Sequence, residues 1–180
     1  MKNKEDKRLL SLLADPATRE RAFSSVVMEY GEPLYWKIRH IVLSHDDADD
    51  VLQDTLVKAW TNLDKYEGKA KFSTWLYRIA VNEAIDFLRR SKNATTLDAL
   101  EAGNVVQQLI ADDYFDGDEA QARLQAAVAS LPDVQRAVFT MRYYDEMKYS
   151  EMSKILDTSE GALKASYHIA VKKIKEMLER

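Results

Sequence analysis

The last predicted helix, which begins at Glu160, carries cations and hydrogen-bonding side chains along one face. Its apolar residues recur at helical spacing and define an apolar stripe: Leu163, Tyr167, Ala170, Val171, Ile174, Met177 and Leu178. The free face presents Lys164, Ala165, His168, Lys172 and Lys175. Small, basic and hydrogen-bonding side chains on a helix suit the major groove of DNA, where base edges expose donors and acceptors. This face is therefore a candidate nucleic-acid contact.

A second group of polar and aromatic side chains surrounds a predicted loop that contains Gly68. The group comprises Tyr66, Lys69, Lys71, Phe72, Ser73 and Thr74, with Arg78 and Asn82 on the helix that follows. Lysines bind phosphates, aromatic rings stack on unpaired bases, and an asparagine amide both donates and accepts hydrogen bonds. The group thus suits nucleic acid, but simpler interpretations stay open: solvated lysines, Phe72 as a core residue, and Asn82 as a brace for the loop.

A third candidate surface is the acidic face of the helix predicted over residues 46–63. Asp50, Gln53, Asp54 and Val57 share one side of this helix, and its apolar stripe lies on the other. A solvated acidic face is the simplest interpretation. The apolar Val57 on the polar side nevertheless hints at a partner surface.

The composition argues against an enzyme. The chain has no Cys, 5 Gly and 3 scattered His, and neither a glycine-rich phosphate loop nor a metal-ligand spacing occurs. We therefore expect no catalytic residues, no metal and no cofactor. No apolar run is long enough to span a bilayer, and the charged stretch 1–8 is not followed by the apolar core of a signal peptide. These features predict a cytoplasmic protein without membrane insertion.

The scarcity of Gly and Pro and the helical periodicity predict an all-α protein of two small helical domains joined by a flexible acidic linker. The domains are assigned to residues 1–90 and 119–180, with the linker over 91–118. The chain has a net charge of −4, and the acidic excess lies in the linker, so it says little about either domain. In the first domain we predict helices over 22–30, 33–43, 46–63 and 75–90, and a short helix over 97–110 fits the linker.

The second domain has the pattern of a helix-turn-helix. Pro132 suits the first turn of a helix, and after a break over 143–148 Ser150 could cap a short helix. Residues 157–159 make a tight turn before the long basic helix. A short helix, a tight turn and a longer helix describe a helix-turn-helix, although an αα-hairpin buried in a core shows the same pattern.

Several stretches resemble the conserved regions of bacterial RNA polymerase sigma factors of the small extracytoplasmic-function (ECF) type. Region 2 is resembled by Asp47-Ala48-Asp49-Asp50-Val51-Leu52-Gln53-Asp54, by Lys58-Ala59-Trp60 and by Phe72-Ser73-Thr74-Trp75-Leu76-Tyr77-Arg78-Ile79-Ala80-Val81-Asn82. Region 4 is resembled by Leu131-Pro132, Tyr149-Ser150-Glu151-Met152 and Glu160-Gly161-Ala162-Leu163-Lys164. Nothing resembles the third region of larger sigma factors, and this absence marks the ECF type.

The resemblance implies a function for each candidate surface. The acidic face would dock on core RNA polymerase, since region 2 of the family does so. The loop group would bind the minus-ten element and capture a flipped base, and the face of the last helix would read the minus-thirty-five element. The resemblance also implies core RNA polymerase, promoter DNA and an anti-sigma factor as partners.

Two other classes of protein fit parts of the sequence. A helix-turn-helix regulator that acts without core polymerase would explain residues 120–180, but it gives no role to the acidic face or to the stretch 72–82. A helical protein-interaction adaptor would explain the amphipathic helices without any contact to DNA.

Overall fold

The computed structural model describes residues 2–94, 102–112 and 117–179, and all regular structure in these ranges is helical. The α-helices are α1 (Lys2–Ala14), α2 (Arg19–Val42), α3 (His45–Thr61), α4 (Phe72–Ala94), α5 (Ala102–Ile110), α6 (Glu119–Ala129), α7 (Asp133–Tyr143), α8 (Tyr149–Leu156) and α9 (Glu160–Leu178). A short 3-10 turn, Leu63–Lys65, follows α3. The all-α prediction is confirmed. We call residues 2–94 the first unit and residues 117–179 the second unit.

Side-chain caps determine where several helices begin. The Ser44 hydroxyl accepts a hydrogen bond from the Asp47 N–H (3.3 Å) at the start of α3. The Ser159 hydroxyl accepts one from the Ala162 N–H (3.2 Å) at the start of α9, and the Asp118 carboxylate caps α6 in the same way. Each cap satisfies an N–H group that the first turn of a helix leaves without a partner. The residues next to each cap therefore determine where α3, α6 and α9 begin.

Helix α2 is continuous through Pro33, so the prediction of two helices over 22–30 and 33–43 is wrong. A proline inside a helix lacks one backbone hydrogen bond and usually kinks or ends the helix. Here Val26, Leu34 and Ile38 form one buried stripe across the proline, and this packing favours a single helix. Helix α1 was not predicted at all; its Leu13 is buried.

Part of the predicted linker is a helix: α5 (Ala102–Ile110) lies within the stretch 97–110 where a short helix is expected. Helix α5 packs against α6, and its Leu109 is buried. Just after α5, the Asp112 carboxylate forms an ion pair with Arg39 of α2 at 2.5 Å. Residues 95–101 and 113–116, which hold most of the linker's acidic side chains, lie outside the described residues.

The two units share one hydrophobic core. Ile38 of α2 with Phe72 and Leu76 of α4 belongs to the same cluster of buried side chains as Met141 of α7 and Met152 of α8. A smaller cluster lies within the second unit: Ala127, Val128, Leu131, Phe139, Ala170 and Ile174. Burial of one large apolar side chain contributes about 1.5–3 kcal/mol. Direct packing of the units is therefore a substantial part of the fold, and the sequence pattern did not predict it.

Across the described ranges, no helix combines the length and the apolar character that crossing a bilayer requires. The same ranges bring together no group of three or more His, Asp or Glu side chains able to hold a metal ion.

Candidate nucleic-acid interface

Helices α8 and α9 form the predicted helix-turn-helix. Asp157 ends α8 in the left-handed conformation (φ 51°), and Ser159 then caps α9. Met152 and Ile155 of α8 and Leu163 of α9 are buried. The inner faces of the two helices are thus fixed against the core, which leaves the outer face of α9 free for a ligand.

All five predicted contact residues of α9 lie on this outer face and are exposed. The Lys164 ammonium lies 5.7 Å from the centre of the Tyr149 ring, a cation–π contact that the sequence did not reveal. Lys172 and Lys175 each pair with the glutamate four residues further on, at 4.0 and 3.6 Å. Such exposed pairs contribute roughly 0–1 kcal/mol, so a phosphate can displace either carboxylate.

The loop between the 3-10 turn and α4 is closed on itself. The Tyr66 hydroxyl donates a hydrogen bond to the carbonyl oxygen of Ala70. The Tyr66 ring packs edge-on against Phe72 and lies 5.1 Å from the centre of the Trp75 ring. Gly68 has φ 69°, a conformation that favours glycine. An aromatic base therefore supports the loop.

The predicted residues of this loop differ in accessibility. Tyr66 and Thr74 are partly buried, and three are exposed: Lys69, Lys71 and Ser73. Lys69 forms an ion pair with Glu67 inside the loop, with both side chains largely in water. The loop thus presents two cations, Lys69 and Lys71, and Glu67 partly neutralises the charge of Lys69.

Phe72 is the predicted DNA-binding residue that the structure places entirely in the core. Its exposed fraction is 0%, and its ring contacts Tyr30, Tyr66 and Trp75. The prediction that Phe72 contacts DNA is therefore corrected: Phe72 supports the loop from the core. The pattern of the first turn of α4 could not distinguish these roles, because an aromatic residue beside a loop fits both.

Arg78 and Asn82 are exposed and line a groove of about 290 Å³ between the end of α3 and α4. The other lining residues are Lys58, Asn62, Lys65, Trp75, Ile79 and Glu83. Lys58 forms an ion pair with the mostly buried Glu83, which holds its ammonium at the groove. Cations, amides and an aromatic ring together suit a base and its phosphates.

Sequence reasoning missed the α3 side of this groove. Lys58 and Asn62 are four residues apart, so they share one face at the end of α3. This spacing does not show that the face lies beside Arg78 and Asn82, because the packing of α3 against α4 depends on the tertiary structure.

The predicted acidic face lies on the outer side of α3. Asp50, Gln53 and Asp54 are exposed and border an open groove that also contacts Phe87 and Arg90 of α4. Further along the helix, Val57 is 58% exposed. A groove lined by two carboxylates and the Phe87 ring, with the exposed Val57 further along the helix, suits the basic, amphipathic surface of a partner protein. Phe87 and Arg90 were not predicted as part of this surface.

The chain matches the family Sigma-70 region 2 over residues 26–94 and the family Sigma-70, region 4 over residues 121–174. These matches cover more than half of the chain, so the protein belongs to the sigma-70 family of RNA polymerase sigma factors. Members of this family are transcription initiation factors rather than enzymes.

Similar curated proteins identify the ECF type within that family. The chain is 31% identical over 166 residues to the ECF RNA polymerase sigma factor SigW of Bacillus subtilis, which covers 87% of this chain and 89% of the relative. It is 30% identical over 155 residues to the ECF RNA polymerase sigma-E factor of Escherichia coli K12, with 81% of each chain covered. The chain is an ECF sigma factor.

Two solved structures have similar folds. CnrH in complex with the cytosolic domain of CnrY matches with a TM-score of 0.69 and 25% identity over 97% of both chains. The sigma factor RpoE in complex with the anti-sigma factor NepR from Bartonella quintana matches with a TM-score of 0.62 and 21% identity, over 87% of this chain and 96% of RpoE. The likeness to CnrH covers both units of this chain.

Proposed function

We propose that this sigma factor uses three separate surfaces: the acidic face of α3 for core RNA polymerase, the loop and the α3–α4 groove for the minus-ten element, and the outer face of α9 for the minus-thirty-five element. The observation that carries the proposal is the position of these surfaces. All three are accessible on the folded chain, and they lie within the two matched regions. One chain can thereby direct the polymerase to both promoter elements.

Helix α9 enters the major groove of the minus-thirty-five duplex in this proposal. Lys164, Ala165 and His168 face the base edges, and Lys172 and Lys175 lie nearer the phosphates. A good base contact is worth about 1–3 kcal/mol of discrimination, whereas phosphate contacts act on every sequence and make affinity depend on salt. The exposure of all five side chains supports this division of roles.

The α3–α4 groove holds a base flipped from the non-template strand. Asn82 offers a donor and an acceptor to the base edge, and Lys58, Lys65 and Arg78 supply cations for the flanking phosphates. Stacking on an aromatic ring contributes about 1–3 kcal/mol, which offsets part of the few kcal/mol that base-pair opening costs. Trp75, which lines the groove, replaces the buried Phe72 as the aromatic partner.

Permanganate footprinting of promoter complexes tests this assignment, because the reagent reacts with unpaired thymines. Asn82→Ala should reduce thymine reactivity in the minus-ten region while binding to core polymerase persists. Asp86→Ala, on an exposed part of the same helix and outside the groove, is the control and should behave as the parent. Equal strand opening in Asn82→Ala and the parent would contradict a role for the groove in melting.

The acidic face of α3 docks on a basic surface of core polymerase. Exposed charges at the rim of an interface mainly set the association rate and its salt dependence, whereas truncation of a desolvated pair costs about 2–5 kcal/mol. Val57 adds an apolar contact beside the carboxylates, and its 58% exposure supports this.

Further features of the proposal follow from the family. An anti-sigma factor binds this chain as NepR binds RpoE, the protein acts in the cytoplasm, and it has no catalytic activity of its own. Functional boundaries fall at residues 1–90 for minus-ten recognition and polymerase binding, 91–118 for the connection, and 119–180 for minus-thirty-five recognition.

A mobility-shift experiment separates this function from that of a regulator acting without polymerase. Labelled genomic promoter fragments are incubated with the purified chain, with core polymerase, or with both. We expect a specific, competitor-resistant complex only when both proteins are present. Specific binding by the chain alone, unaffected by core polymerase, would favour the regulator.

A further inference from the structure

Asp145, in the loop after α7, is the centre of a buried polar cluster between the two units. One carboxylate oxygen lies 2.9 Å from the Lys37 ammonium of α2. The other accepts a hydrogen bond from the Tyr77 hydroxyl of α4. The side chain of Asp145 is 7% exposed, and the Lys37 ammonium also lies 4.6 Å from the centre of the Tyr77 ring. A largely buried carboxylate thus contacts a buried phenol and a partly exposed ammonium.

Two more specific contacts cross the same boundary. The ring of His40 in α2 stacks on Tyr144, with centroids 4.4 Å apart and an interplanar angle of 13°. The guanidinium of Arg136 in α7 donates a hydrogen bond to the carbonyl oxygen of Ile41 at 3.1 Å. Each contact requires one orientation of the units, because stacked rings and buried hydrogen bonds tolerate little displacement.

The buried charge of Asp145 makes this closed arrangement a defined state. A charge removed from water is costly unless a partner compensates it. A loose encounter of the units would leave Lys37 and Asp145 hydrated, whereas here they compensate each other together with Tyr77. The arrangement therefore depends on these identifiable polar groups in addition to the shared hydrophobic core.

The closed chain is too small to reach both promoter elements. A folded chain of this length has a radius of gyration of about 16 Å, or roughly 40 Å across. Elements centred about 25 base pairs apart are separated by about 85 Å at the ~3.4 Å rise of a DNA strand. The units must separate before the chain contacts both elements.

We propose that Lys37, Tyr77 and Asp145 form a latch that holds the free protein closed and competes with core polymerase binding. The competition rests on the proposed function, because it assumes that polymerase binds the chain with its units apart. Only the open fraction of the protein is then competent, and the apparent affinity for polymerase is reduced by that fraction. Opening the latch should raise this affinity without any change in the polymerase-binding face.

Single-molecule energy transfer measures the latch directly, since the chain has no native Cys. Dyes are attached through Ser25→Cys in α2 and Glu176→Cys in α9, two exposed positions on different units. The parent should populate mainly a high-transfer state. Asp145→Asn leaves the partly exposed Lys37 without its counter-charge, and Tyr77→Phe removes the hydroxyl donor, so both should shift molecules to low transfer. Asp157→Asn is the matched control, because Asp157 is exposed and asparagine tolerates its left-handed conformation.

Affinity for core polymerase is then measured for the same proteins, with circular dichroism to confirm that each is folded. We expect Asp145→Asn and Tyr77→Phe to bind about tenfold more tightly than the parent if a tenth of the parent is open, and Asp157→Asn to match the parent. Unchanged energy transfer in both latch variants would overturn the latch. Opening without tighter polymerase binding would overturn the competition. Absence of polymerase binding by the parent would instead contradict the proposed function and leave the transfer result standing.

Discussion

Arg136 is a buried cation that joins the ends of two helices, and its replacement by Met should destabilise the protein. The guanidinium donates to the carbonyl oxygens of Ile41 at the end of α2 and of Ala129 at the end of α6. Charge-assisted hydrogen bonds contribute about 1.5–3 kcal/mol each, which gives about 3–6 kcal/mol before desolvation. Burial lowers the pKa of Arg136 to about 10, so desolvation offsets part of this gain. We expect a net loss of about 2–3 kcal/mol in the free energy of unfolding.

Urea and thermal unfolding followed by circular dichroism measure this loss. For a chain of this size, 2–3 kcal/mol corresponds to a Tm lower by roughly 5–10 °C. Arg123→Met is the matched control, because Arg123 forms an exposed ion pair with Glu119 and should change stability by less than about 1 kcal/mol. If Arg136→Met is no less stable than Arg123→Met, the two carbonyl contacts do not stabilise the fold and the argument is refuted.

Three further predictions concern pH, DNA and polymerase. Burial lowers the pKa of His40 below its usual 6.5, so the unfolded chain binds the proton more readily than the folded chain. The stability that depends on neutral His40 should be complete above about pH 6.5 and should fall as the pH drops below this value. His40→Gln should flatten this part of the plot of urea midpoint against pH. Lys164→Ala should relax discrimination at one base pair by about 1–3 kcal/mol, whereas Lys175→Ala should weaken binding to all sequences and lower the salt slope by about 1, as measured by competition binding with holoenzyme; equal, sequence-independent losses would contradict this register of α9. Combined reversal of Asp50 and Asp54 to Lys should weaken core polymerase binding with an unchanged circular dichroism spectrum, and unaltered affinity of the folded variant would show that polymerase binds elsewhere.

Local patterns predicted the helices that carry the candidate surfaces. The apolar stripe of α3, the Ser159 cap of α9 and the turn at Asp157 all follow from neighbours within four residues. Such features depend on backbone hydrogen bonding and helical periodicity, which a single sequence displays. The sequence alone therefore predicted which sides of α3 and α9 are exposed. The ligands assigned to these two faces rest on the family resemblance.

Contacts between distant segments were not predictable in the same way. The cluster of Lys37, Tyr77 and Asp145 joins residues that are 40 to 108 positions apart in the chain. Each of these residues is ordinary by itself, since lysine, tyrosine and aspartate occur on most helical surfaces. The burial of Phe72 and the continuity of α2 through Pro33 likewise depend on which helices pack together, and periodicity does not show that.

Run-off transcription measures whether this chain directs initiation by core RNA polymerase. Purified core RNA polymerase is incubated with genomic fragments from the source organism, with the chain or without it, and the transcripts are sized. We expect discrete transcripts that require the chain, initiate downstream of a common pair of promoter elements, and disappear with the Asp50 and Asp54 reversal. Transcripts that do not depend on the chain, or that start at random positions in its presence, would contradict the conclusion that it directs initiation.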